Sequence, residues 1–215
     1  MRQGELTTVI LAGGEGRRMG GRNKALLTLG RETIIERQLR EAAKLSTDVV
    51  VVANDARFSE QLAAAYPGVR IVSDAYAGEG PLAGVHAGFR EARSPHVWLL
   101  GCDQPYPSAS AAEYLLRLLS VEQAQAAVPL IGGNLQPFHA VYRQETGAIA
   151  EERLLAGSRR LLHWLERLER REVGADELLA AGHSTDLAED IDTPEQYEDA
   201  IARWAARPLH PQQRS

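Results

Sequence analysis

Four valines in a row, Val49 to Val52, limit what this chain can fold into more than any other stretch. A strand with one wet face alternates apolar and polar residues, so an unbroken β-branched run must be covered on both faces. That requires a sheet enclosed between two other layers. Residues 6–12, 48–53, 69–72, 96–102 and 138–142 are all rich in Val, Ile and Leu and read as strands, with 126–131 a weaker candidate. Amphipathic stretches lie between them. Over residues 33–45 the side chains of Ile34, Ile35, Leu39 and Ala42 share one helical face, opposite Glu36, Arg37, Arg40 and Glu41. Residues 108–119 repeat the scheme, as do 158–170 through Leu161, Leu162, Leu165 and Leu168, and 194–206 read as a last helix with Thr193 as N-cap and Pro194 at its first position. The alternation predicts an α/β fold of three layers, α/β/α, around a Rossmann-like, mostly parallel sheet, with ligands beyond the carboxyl ends of the strands.

Net charge is −5 with no long block of one sign, which excludes a broad basic footprint and predicts no nucleic-acid partner. Cys102 is the single cysteine, so neither an intrachain disulfide nor a Cys-rich zinc site can form. The first apolar run ends at Gly13, too short for a signal peptide or a membrane span, and the expectation is a cytoplasmic chain with no membrane association.

The chemistry concentrates first in the stretch from Leu11 to Lys24, where Gly13, Gly14 and Gly16 directly follow a hydrophobic strand and Arg17, Arg18 and Lys24 follow the glycines. Glycines let backbone N–H groups reach phosphate oxygens with no Cβ in the way, and the cations add charge-assisted bonds to the same anion. Ala25 after Lys24 excludes a P-loop, and Met19 stands where a dinucleotide fingerprint needs its third glycine. Asp103 ends the second hydrophobic strand of interest, followed by Gln104 and Pro105. A carboxylate at a carboxyl strand end can hold Mg²⁺, which binds through one or two carboxylates together with substrate phosphates. Asp190 and Asp192 alternate onto one side of an extended segment before the last helix, and either could supply a second ligand.

The string Leu11-Ala-Gly-Gly, Arg18-Met-Gly and Lys24 resembles the signature of the molybdenum cofactor guanylyltransferases and their MobA-like nucleotidyltransferase relatives. Cys102-Asp-Gln-Pro105 and Gly80-Pro-Leu-Ala-Gly84 resemble further segments of that family. The resemblance implies a fold of the nucleotide-diphospho-sugar transferase type, formed as one domain over residues 1–206. The nucleotide part would span about 1–105 and the acceptor part about 106–206, with 207–215 a flexible tail. It implies nucleotide contacts from Leu11, Ala12, Gly13, Gly14, Lys24, Asn54, Asp74, Gly80, Pro81, Leu82 and Asp103, and catalytic roles for Arg18, Lys24 and Asp103. Metal ligation, with Mg²⁺ as cofactor, falls on Asp103 and Asp192. Gln136, His139 and Asp190 are the acceptor-side candidates. The substrates implied are GTP and molybdopterin, and the partners are proteins of molybdenum-cofactor synthesis or delivery around a monomer or weak oligomer.

Two departures bear on the base. The guanylyltransferases usually show N-x-N-T-P where this chain has Asp190-Ile-Asp192-Thr-Pro194, a pattern nearer the cytidylyltransferases, whereas Leu11-Ala-Gly-Gly favours guanine over the cytidylyltransferases' L-A-A-G. A CTP-dependent enzyme, a sugar-phosphate nucleotidyltransferase and a GTP-sensing module without turnover are the alternatives.

Overall fold

The computed structural model describes residues 5–13, 19–20, 22–76 and 78–206. Strands β1 (Leu6–Leu11), β4 (Asp48–Val52), β5 (Arg70–Val72), β6 (His96–Gly101), β7 (Ala126–Ile131), β9 (Ala140–Arg143) and β10 (Arg170–Gly174) form the main sheet in the order β10-β7-β9-β6-β1-β4-β5. A short β8 (Asn134–Leu135) pairs with β7, and β2 (Thr28–Leu29) with β3 (Glu32–Thr33) makes a separate two-stranded hairpin. The half β6-β1-β4-β5 is parallel throughout, while β9 runs antiparallel to both of its neighbours.

Period-two alternation sends the strands' side chains into two cores. On one face Leu6, Ile10, Val51, Trp98 and Leu100 meet α1 (Ile34–Ala42), α2 (Ala56–Ala65), α4 (Ala109–Glu122) and α7 (Ala175–Ala180). On the other, Val9, Leu11, Val50, Val52, Val97 and Leu99 meet α3 (Pro81–Glu91), α5 (Thr146–Leu155) and α6 (Leu161–Leu165). Val50, Val51 and Val52 are all buried, as the valine run requires. The three-layer α/β/α architecture and the mostly parallel sheet agree with the expectation from sequence.

The helix starts also follow local chemistry. Thr33 and Glu36 form a reciprocal capping box at α1, the Ser108 hydroxyl caps α4, and Thr193 accepts from the Gln196 N–H at the head of α8 (Pro194–Ala206). Residues 158–170 depart from the expected single helix. Only Leu161–Leu165 is α-helical there, and Arg170 already opens β10 beside β7. The leucine spacing is genuine, since Leu161, Leu165 and Leu168 are buried. Strand pairing captures the chain at Arg170, because hydrogen-bonding partners on β7 compete with a helix that sequence periodicity alone cannot see stopping.

A third, smaller core gathers Met19, Leu27, Leu29, Ile34, Ile191 and Ala200, with Tyr197 and Trp204 packed against it. It joins the end of the glycine-rich loop, the hairpin and α8. Gly30 has φ +69°, and a Cβ there would lie 2.4 Å from Trp204 Nε1, so the hairpin turn has neither the conformation nor the room for a side chain.

Candidate active site

The loops that carry the sequence candidates leave the same edge of the sheet. At the carboxyl ends of the parallel strands the ladder continues one step past β1, β4 and β6. Ala12 N–H donates to Val52 O (2.8 Å), Ala53 N–H to Val72 O (2.9 Å) and Cys102 N–H to Leu11 O (3.0 Å). Gly13, Asn54, Asp74 and Asp103 therefore leave the sheet side by side. Among the described residues a Cβ on Gly13 would meet nothing nearer than Val52 O at 3.9 Å and Asn54 Nδ2 at 4.0 Å. Gly14 and Arg18, the remaining loop candidates, lie outside the described residues.

Lys24 opens a 3₁₀ turn, Lys24–Leu26, whose N-cap Asn23 accepts from the Ala25 N–H. Its ammonium is hydrogen-bonded to Asp192 Oδ1 and lies 3.6 Å from Asp103 Oδ2. Burial works to lower the Lys24 pKa, but the Asp192 hydrogen bond and the charges of Asp103 and Asp192 outweigh it and hold the group above the ordinary lysine value. Asp103 moves upward: desolvation is the main cause, Lys24 opposes it, and the nearby charges of Asp190 and Asp192 add to it. Asp190 is exposed, Ile191 is buried in the small core, and Asp192 is half-buried, so alternation turns the two aspartates to the same side.

The backbone around these groups is held tightly. Ile191 N–H donates to Asp103 O (2.9 Å), while Gln196 Oε1 accepts from the N–H groups of Asp192 (2.6 Å) and Thr193 (2.9 Å). A Cβ on Gly101 would lie 2.6 Å from Asp103 Oδ1 and 3.1 Å from Phe138 Cδ2, so this glycine makes the space into which the Asp103 carboxylate turns. Gly101 carries no motif signal of its own.

Two carboxylates closing on one ammonium form a pair of hard oxygen donors around a position for a single cation. Among the described residues no three His, Cys, Asp or Glu side chains stand close enough to cage a metal by themselves. Mg²⁺ needs no such cage, since it keeps waters and substrate phosphates in its shell. The donor set of Asp103 and Asp192 fits it.

The other candidates divide. Gly80 has φ +81° and precedes α3 without a side-chain cap; Pro81 takes the first turn and Leu82 is fully buried, so this segment presents a helix start beside the site. Gly84 and Gly88 let α3 close onto β1, where a Cβ on Gly88 would lie 2.3 Å from Val9 Cγ1. Asn54 and Asp74 clasp each other, Nδ2 donating to Oδ2 at 2.7 Å and the Asp74 N–H to Asn54 Oδ1 at 3.1 Å. Gln136 donates to Asn134 O (3.3 Å) in the turn that leads to Phe138.

His139 requires a correction. It is fully buried, with φ 60°, and its Nε2 accepts the Ser108 N–H at 2.8 Å while the ring meets Trp98 edge-on at 5.3 Å. Burial pushes its pKa down to about 4. It supports the start of α4 and has no surface to offer an acceptor.

A family model for the MobA-like NTP transferase domain matches residues 8–175. A molybdenum cofactor guanylyltransferase of Pseudomonas putida is 41% identical over 154 residues, covering 71% of this chain and 78% of that protein. The chain belongs to the MobA-like NTP transferase family. Its fold is shared with molybdopterin-guanine dinucleotide biosynthesis protein A from Archaeoglobus fulgidus, at 24% identity and a TM-score of 0.81 over 94% of this chain and all of that one. It is shared too with a Mycobacterium tuberculosis protein crystallised in complex with manganese, at 17% identity and a TM-score of 0.63 over 94% of this chain and all of that one. Asp190 and Asp192 lie beyond the stretch that the family model matches.

Motif reading missed Gly101 and Gln196, whose contacts hold the backbone around Asp103 and Asp192. The latter sits three residues after Thr193, the spacing of a capping box, and was legible on that ground.

Proposed function

We propose that the chain is a molybdenum cofactor guanylyltransferase, transferring GMP from GTP to the terminal phosphate of molybdopterin with release of pyrophosphate. The observation that carries this is the convergence of Lys24, Asp103 and Asp192 at the carboxyl edge, next to the glycine-rich loop. Names of relatives support the guanine nucleotide and the acceptor, and the manganese complex of a protein of the same fold supports a divalent cation.

In the reaction an oxygen of the acceptor phosphate attacks the α-phosphorus of GTP, and the bond from that phosphorus to the bridging oxygen of the β-phosphate breaks. The nucleophile is ionised at neutral pH, so no general base is required, in keeping with the burial of His139. Asp103 and Asp192 would hold Mg²⁺, which when bound supplies charge neutralisation to the phosphate oxygens and the leaving group. The Lys24 ammonium and, as the family resemblance implies, Arg18 would meet the triphosphate. On the nucleotide side would stand Leu11, Ala12, Gly13, Asn54, Asp74 and the backbone of the Gly80–Leu82 helix start. Catalysis then rests on alignment and charge neutralisation.

A pyrophosphate-release assay with reduced molybdopterin, comparing GTP with CTP, tests this. Mg²⁺-dependent release with GTP is expected. Preference for CTP would move the chain to the cytidylyltransferases, as its aspartate pair would suit, and nucleotide binding without turnover would make it a sensing module.

A further inference from the structure

Asp103 stands in a turn whose shape is set by two buried carboxamides. The turn closes through Gln104 N–H donating to Gly101 O at 3.1 Å. Gln38, fully buried on α1, donates through Nε2 both to that Gly101 O (2.7 Å) and to Gln104 O (3.0 Å). The Gln104 side chain, also buried, folds back so that Oε1 accepts the Gly101 N–H (3.4 Å) and Nε2 donates to Leu187 O (3.2 Å). Leu187 belongs to the 3₁₀ turn Thr185–Ala188, immediately before the segment that carries Asp190 and Asp192. One amide thus grips the Asp103 turn with its oxygen and the Asp192 segment with its nitrogen.

An amide is the group that does this. Gly101 offers a donor and Leu187 an acceptor, so the bridging side chain must present an acceptor and a donor together, which carboxylate and apolar side chains of the same length cannot. Gln38 faces two carbonyls, which fixes its Nε2 toward the turn; its Oε1 is left buried without a hydrogen-bond partner. A buried, half-satisfied amide is costly to keep in a core. Its place beside Asp103, bonded to both carbonyls of the turn, fits a role in shaping the site rather than in packing.

We propose that Gln104 is a positioning residue whose buried carboxamide, seated with that of Gln38, sets the separation of the Asp103 and Asp192 carboxylates and so the affinity of the site for its divalent cation. This rests on the proposed function of the site. Buried as it is, Gln104 acts through the two backbones it joins.

The test uses the full chain and Mn²⁺ as the probe, with bound ion counted by electron paramagnetic resonance, with and without GTP, beside steady-state kinetics. Gln104→Met and Gln38→Met are compared with Ser46→Ala, which breaks the buried hydroxyl pair with Thr8 near the amino end of β1. Folded Gln104→Met is expected to bind Mn²⁺ about tenfold or more weakly and to lose about 10- to 100-fold in kcat, as when an outer partner of a metal ligand is removed, with KM for GTP little changed. Ser46→Ala is expected to lower the melting temperature while leaving Mn²⁺ affinity alone. Wild-type Mn²⁺ affinity in folded Gln104→Met overturns the proposal, as does an equal loss in Ser46→Ala. Should Gln104→Met fail to fold, Gln38→Met decides by the same two readouts. Absence of Mn²⁺ uptake by the unaltered chain would instead overturn the metal assignment of the site.

Discussion

The Lys24 ammonium is hydrogen-bonded to the Asp192 carboxylate across 168 positions of chain. The same ammonium lies 3.6 Å from Asp103. One lysine therefore serves as the counter-ion of both proposed metal ligands, and this shared position shapes the first two predictions.

Replacing Lys24 by Met removes the cation that competes for the two carboxylates. Two unit charges about 4 Å apart interact by about 4 kcal/mol in a partly shielded site, reduced further by exposure, so Mn²⁺ binding without nucleotide is expected to tighten about tenfold. The KM for GTP should rise in the same protein, because the phosphates lose their partner. Unchanged or weaker Mn²⁺ binding, titrated without GTP, would contradict the shared position.

Asp103→Asn keeps the shape of the side chain and removes its charge. Turnover at saturating GTP is expected to fall about 10²- to 10³-fold, the usual consequence of losing one preorganised electrostatic group. Pyrophosphate release near the wild-type rate, from protein with an unchanged circular dichroism spectrum, would rule Asp103 out as a metal ligand.

His139 makes stability depend on acid. Its folded pKa of about 4 lies below the ordinary 6.5, so between those values the unfolded chain binds the extra proton and the folded one does not. The neutral ring's contribution is complete above about pH 6.5 and is lost as pH falls toward 4, where the loss reaches about 3 kcal/mol. Urea unfolding from pH 7 to pH 4 should show this slope, and His139→Gln, which keeps an acceptor for the Ser108 N–H, should flatten it. An unaltered slope in that variant would assign the acid sensitivity to other groups.

Trp204 ties α8 to the rest of the chain, its ring lying 3.8 Å beneath the Arg37 guanidinium and against Gly30. Trp204→Ala is expected to cost about 1–3 kcal/mol through lost packing and cation–π attraction. Because α8 follows directly from Asp192, the KM for GTP should rise with it. A loss of melting temperature with wild-type KM would show that the small core supports α8 without bearing on the site.

Much of this molecule could be read from residue order. The valine run at β4 and the apolar runs at β1 and β6 demand a sheet covered on both faces, and a parallel sheet places Gly13, Asn54, Asp74 and Asp103 at one edge, because every such strand ends on the same side. Thr33, Ser108 and Thr193 marked helix starts through bonds that span three residues. These are local rules, in which a residue's neighbours in the chain are also its neighbours in space. The strand at Arg170–Gly174 was not legible, because five residues as polar as these become a strand only when β7 offers them hydrogen bonds.

Residue order also determined the chemistry available: a glycine-rich turn, cations within a few residues of it, a carboxylate at a strand end and a second acidic pair before the last helix. Tertiary structure alone decided how these meet. It brought Asp192 to Lys24, bound Gln38 and Gln104 around the Asp103 turn, and withdrew His139 into the core to hold Ser108. Charge and hydrogen bonding act over a few ångströms, and the chain separations they bridge here leave no periodicity behind; a buried amide and an exposed one are written with the same letter.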